Sequence, residues 1–164
     1  MPGFFVFVRP VKVDLCSFDY IRQPAKQPQH MAGYSGTPLQ KKLGIKPEMV
    51  IFVSGAPAEY FDWLSPMPDD VTVKPRFPKE ADFIHVFVKS QKEFQKVFIA
   101  SKKSLKKDGM LWVSWPKKSS KVETDLDENI IRDFGLACGL VDVKVCAVDD
   151  VWSALKFVFR LKDR

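Results

Sequence analysis

The residues whose types and spacing can do chemistry lie where apolar runs end. Trp115-Pro116-Lys117-Lys118 follows the run Met110–Trp115. Two ammonium groups beside an indole, with a helix start expected near Thr124, can hold a phosphate or a carboxylate, because a helix N-terminus turns unpaired amides toward an anion. The same residues also describe a proline-terminated strand followed by a soluble, lysine-rich loop. Glu128 and Asn129 stand off the apolar side of the next helix, where a carboxylate and an amide can do acid–base work in the same crevice. An ordinary exposed pair on a helix would look the same. Upstream, Gly55 and Ala56 form the turn after the run Met49–Ser54, and Lys89 follows the run Asp82–Val88. The candidate ligand-binding residues are therefore Gly55, Ala56, Lys89, Trp115, Lys117, Lys118, Thr124, Glu128 and Asn129.

Other chemistries find no pattern. A dinucleotide site needs G-x-G-x-x-G after the first strand, so that amides approach a pyrophosphate. Here the turn is Ser54-Gly55-Ala56-Pro57-Ala58-Glu59, with one glycine and a proline that lacks an amide donor. The second strand should end in an acid that binds ribose hydroxyls, and instead it runs Val71-Thr72-Val73-Lys74-Pro75-Arg76. No cofactor is predicted. His85 lies inside an apolar run, where a histidine is more often a hydrogen-bonded core residue than a catalyst. His30 lies in a proline- and glutamine-rich stretch. No G-x-S-x-G elbow occurs, and Asp69-Asp70 and Asp149-Asp150 read as turn residues, outside metal-ligand spacing. Neither catalytic nor metal-binding residues are assigned. Cys16, Cys138 and Cys146 show no C-x-x-C spacing, and their odd number suits a reducing compartment with Cys138 and Cys146 as small buried hydrophobes.

These residues need elements to position them. A chain of 164 residues suffices for one domain with a real core. No apolar run approaches the roughly 18–20 residues that span a bilayer, and Arg9-Pro10 cuts short the run Phe4–Val8 before any cleavage site. A cytoplasmic location is expected. Residues 1–30, with two short β-like runs and the stretch Arg22–Gln29, read as a flexible extension. Residues 31–164 are expected to form a single domain. Thr37-Pro38-Leu39-Gln40 has the form of a capping box, with Gly44 closing a short helix. Strands are expected over Met49–Ser54, Val71–Val73, Asp82–Val88 and Met110–Trp115, and a short helix through Tyr60, Phe61, Trp63 and Leu64.

A helix from about Ser90 to Lys107 places Phe94, Val97, Phe98, Ser101 and Leu105 in one arc, with Lys92, Lys96, Lys103, Lys106 and Lys107 opposite. Asp108-Gly109 is expected to stop it. The net charge of +6 is concentrated here: ten lysines lie between Lys89 and Lys121, against Glu93 and Asp108. The cluster reads first as the solvated side of an amphipathic helix. Aromatic interleaving of the kind that stacks bases is missing, so nucleic-acid binding is disfavoured. Thr124 and Asp127 suit an N-cap and its N3 partner for a helix that Gly139 closes. Val141–Val148 and Trp152–Phe159 then form an antiparallel hairpin across Asp149-Asp150, with Trp152 and Lys156 on one side of the last strand, packing and snorkelling.

This order of elements is α/β: a small Rossmann-like, doubly wound, mainly parallel sheet with a C-terminal antiparallel hairpin. It resembles the class I methyltransferases, whose sheet also ends in a hairpin, and Asp108–Val113 looks like their passage into the fifth strand. Longer stretches resemble the bacterial family known as domain of unknown function 3052. They are Ala32–Leu39, Leu43-Gly44-Ile45, Leu111–Lys118, Thr124-Asp125-Leu126, Glu128-Asn129, Ile131-Arg132, Gly139–Asp149, Trp152-Ser153 and Leu155–Val158. The resemblance covers nearly all of 31–160, makes Met31 the family-like start, and implies no activity. The expected function is a non-enzymatic binding or regulatory domain with a degenerate cofactor site. The alternative is an enzyme, methyltransferase-like or other, acting on a small anionic ligand at the Trp115–Lys118 edge; a third reading is weak nucleic-acid binding through the lysine-rich helix. A small anionic ligand or a protein is the expected partner, and a membrane is not.

Overall fold

Alternate residues of the central strands point to opposite sides of a sheet, and both sides are apolar, which is the pattern of strands covered on both faces. The computed structural model describes residues 36–164. Expectations about residues 1–30, and the stretch 31–35, lie outside the described residues. Helices α1 (Leu39–Leu43), α2 (Tyr60–Trp63), α3 (Gln91–Ser104) and α4 (Glu128–Ala137) alternate with strands β1 (Val50–Ser54), β2 (Thr72–Lys74), β3 (Ala81–Phe87), β4 (Leu105–Pro116), β5 (Leu140–Ala147) and β6 (Trp152–Phe159). The six strands form one sheet in the order β2-β1-β3-β4-β6-β5. The first four run parallel, and β6 is antiparallel to both β4 and β5. The α/β fold expected from the sequence is the fold observed.

Two apolar layers sandwich the sheet. On one side Ile84 and Val86 of β3, Val88 just after it, and Leu111 and Val113 of β4 meet Phe94 and Phe98 of α3 and Ile131 of α4. On the other, Phe83, Phe87 and Trp112 meet Leu43 of α1, Tyr60 of α2 and Leu64 at the end of α2. The Trp112 indole N–H donates to the Leu43 carbonyl at 2.9 Å, tying α1 to the sheet. The return from β2 to β3 has no helix; Phe77 folds onto Phe52 of β1 instead, with ring centroids 4.2 Å apart.

Three local expectations are corrected. No capping box opens α1: Pro38 holds the cap position without a side-chain bond, and the Gln40 amide turns away to the Pro66 carbonyl at 3.2 Å. Asp108-Gly109 does not stop α3, which ends at Ser104. Leu105 already pairs with Ala81, and residues 106–109 bulge out of β4 before Met110 pairs with Phe83. Asp82 holds that bulge, accepting from Lys106 Nζ and from the Val50 amide, each at 2.8 Å. Finally, Asp127 is the N-cap of α4, with its carboxylate accepting from the Ile130 amide at 2.9 Å. Thr124 lies outside that helix start.

Candidate functional site

Open α/β sheets place ligands beyond the carboxyl ends of their parallel strands. At the end of β4 this chain has an open groove of about 370 Å³, lined by Trp115, Lys117, Lys118, Leu126, Asp127, Glu128, Asn129 and Ser153. Five of the expected site residues share it: Trp115, Lys117, Lys118, Glu128 and Asn129. Trp115 is only 7% exposed and forms an apolar wall. Lys118 is exposed at the start of a short turn, Lys118–Ser120. Lys117 is committed to the fold: its amide donates to the Val151 carbonyl at 2.7 Å and its ammonium to the Asp149 carbonyl at 2.6 Å.

The acidic side of the groove is organised by a residue that the sequence reading did not single out. Arg132 pairs with Glu128 one helical turn earlier, with Asp142 of β5 at 2.9 Å, and with the Asn129 side-chain oxygen at 3.4 Å. Hydrogen bonds to Asp142 and then Glu128 hold its guanidinium firmly in the charged form. The Glu128–Arg132 spacing of four residues was the available signal, since such pairs meet on one helix face. The Asp127 carboxylate is occupied by its cap. Lys118, the Ser153 hydroxyl and the Asn129 amide are what the groove offers a ligand.

The remaining expected residues lie elsewhere. Lys89 and Thr124 line a second depression with Ser90, Glu123 and Asp125. There the Thr124 hydroxyl donates to the Lys89 carbonyl at 2.6 Å and accepts from the Leu126 amide at 3.1 Å. Thr124 therefore pins the loop to the end of β3. Gly55, at φ +69°, lines neither depression; a Cβ there would stand 2.5 Å from the Phe87 carbonyl oxygen. This glycine lets β1 turn against β3. Ala56 packs into the apolar layer on the α2 side.

His85 is a core histidine, as expected. Its Nδ1 lies 2.6 Å from the Tyr60 hydroxyl and its Nε2 2.7 Å from the Ser114 hydroxyl, all three fully buried. Burial depresses its pKa to about 3, so the ring is neutral at ordinary pH. The lysine cluster divides: Lys92, Lys96 and Lys103 are exposed, whereas Lys102 donates to the Cys138 carbonyl, Lys106 pairs with Asp82 and Lys107 lies over the Phe159 ring. Lys106 and Lys107 belong to the β4 bulge and not to the helix face. Among the described residues, no cluster of His, Cys, Asp or Glu has the arrangement of a metal site, and no helix is long and apolar enough to cross a membrane.

No family model matches the chain, and no curated protein does. Solved structures do. The precorrin-6y C5,15-methyltransferase of Geobacter metallireducens superposes with a TM-score of 0.52 at 12% identity, covering 74% of this chain and 86% of that one. The DhpI–SAH complex gives 0.53 at 10% identity, over 73% and 81%. The SAM-bound magnesium protoporphyrin IX methyltransferase of Synechocystis gives 0.50 at 9% identity, over 74% of each chain. This chain has their fold. The comparison also corrects the expectation of a non-enzymatic binding or regulatory domain, because these neighbours favour the methyltransferase-like alternative. The missing glycines and acid exclude one way of seating a cofactor; they do not exclude catalysis.

Two of those structures hold SAH or SAM, and the residues present here do not reproduce the usual seat for such a cofactor. The space that Gly55 leaves is filled by the Phe87 carbonyl. β2 is short, exposed along its length and ends on Lys74.

Proposed function

We propose that this chain is a methyltransferase-like enzyme domain that acts on a small anionic ligand held in the Trp115–Lys118 groove. The observation that carries the reading is that groove itself, at the carboxyl end of β4 in a sheet ordered β2-β1-β3-β4-β6-β5. Lys118 supplies the charge, the Trp115 wall excludes water from one side, and the Asn129 amide and Ser153 hydroxyl orient the ligand. Arg132 keeps Glu128 paired, so that its carboxylate does not repel an anion at full strength.

Thermal-shift screening with small carboxylates and phosphates, together with S-adenosylmethionine and its demethylated product, tests the reading, since any ligand of the native state raises stability by mass action. At least one anion is expected to stabilise the protein, and Lys118→Gln should weaken its binding by about tenfold, the usual effect of losing one charge-assisted hydrogen bond. Stabilisation by none of them, or binding indifferent to Lys118→Gln and Trp115→Ala alike, overturns it.

A further inference from the structure

A second group of charges lies apart from the groove. β5 and β6 pair so that Lys144 and Lys156 stand directly opposite one another. Like charges in that position destabilise an antiparallel pair. The β4 partner of Lys156 is the fully buried Trp112, so this lysine stands between an indole and another ammonium. It is half-buried; that burial, and then Lys144 and Lys46, depress its pKa below the ordinary lysine value. The Lys144 ammonium donates to the Lys42 carbonyl in the last turn of α1, at 3.1 Å. Among the described residues no ion pair reaches Lys46, Lys144 or Lys156. Two other partly buried cations have carboxylate partners, Lys106 with Asp82 and Arg132 with Glu128 and Asp142. A local rule broken with no compensating carboxylate marks a functional position.

We infer that Lys144 and Lys156, contributed by β5 and by β6, form a binding site for phosphate or a phosphate-bearing small molecule. Cross-strand partners stand about 5 Å apart at Cβ, and a tetrahedral oxyanion between two such side chains accepts from both ammonium groups at once. The Lys42 carbonyl anchors Lys144 toward α1. The Cα pairing sets Lys156 opposite Trp112, well before the end of β4 at Pro116, so this site and the groove are separable by mutation.

Isothermal titration of the full chain with inorganic phosphate and with adenosine monophosphate, at low ionic strength, tests the inference. Saturable binding of one or both is expected; tighter binding of the nucleotide identifies a phosphate-bearing ligand, and equal binding identifies the free anion. Lys156→Met and Lys144→Gln should each weaken binding by about tenfold, Lys156→Arg should retain it, and Lys96→Gln should leave it unchanged. Without phosphate, Lys156→Met should melt higher than the parent chain, because the repulsion is gone, and phosphate should no longer raise its Tm. No saturable binding, or equal losses in Lys96→Gln and Lys156→Met, overturns the inference.

Discussion

His85 shows how a buried polar side chain is made tolerable: both ring nitrogens have a hydroxyl partner, and the ring stacks on Phe87 with centroids 4.4 Å apart. Its folded-state pKa of about 3 lies below the unfolded value near 6.5. The unfolded chain therefore binds the extra proton first as pH falls. The stability that the neutral ring protects is complete above about pH 6.5 and declines by about 1.4 kcal/mol per pH unit between there and about pH 3. Urea unfolding at pH 7, 6 and 5 checks this slope, and His85→Phe should remove its contribution. That variant should itself cost about 2–3 kcal/mol, since two buried hydroxyls lose their partner. At Gly135 of α4, a Cβ would overlap the Phe157 ring. Gly135→Ala is therefore expected to lose about 2 kcal/mol by overpacking, with Phe157→Leu in the same chain recovering part of it. The core role of His85 was legible because the residue interrupts an apolar run. Its partners were not, being 25 and 29 residues away in sequence.

Elements were legible where one periodicity ran without competition. The buried runs of β1, β3 and β6 emerged within a residue or two of their expected bounds, and α3 began within a residue of its expected start. Element ends were harder, because a cap or a bulge is decided by tertiary contacts. Leu105 satisfies the helical period of α3 yet pairs with Ala81, and the Lys106–Asp82 bond then secures the bulge that absorbs Asp108-Gly109. Thr37 and Thr124 have the residue type of N-caps, but Pro38 takes the first position and Asp127 the second. Mutation separates the two kinds: Asp127→Ala should cost about 1 kcal/mol through loss of its cap, whereas Thr37→Ala should leave the denaturation midpoint unchanged. The site divides in the same way. Trp115, Lys117, Lys118, Glu128 and Asn129 meet because a strand end and the start of the following helix are bound to lie close. Gly55, Ala56, Lys89 and Thr124 needed distances between strands that no local pattern contains.

For the whole molecule, the α/β class and the helix-free return between β2 and β3 were legible in the succession of elements, but what covers that return was not. That return leaves Phe77, 40% exposed, as an aromatic cover over Phe52. Phe77→Ser should cost about 1–2 kcal/mol, the worth of a partly buried ring and its aromatic contact, measured as a lower midpoint in urea. The proposed activity belongs to this scale too, because the groove exists only where β4, the Lys118–Ser120 turn, α4 and β6 converge. Lys117 lines that groove and is also latched to the β5–β6 turn, through the carbonyls of Asp149 and Val151. An occupied groove therefore holds the latch shut: the Lys117 amide, bonded across to that turn, should exchange its hydrogen for deuterium more slowly when ligand is present, so that solvent exchange at one position reads occupancy of the groove.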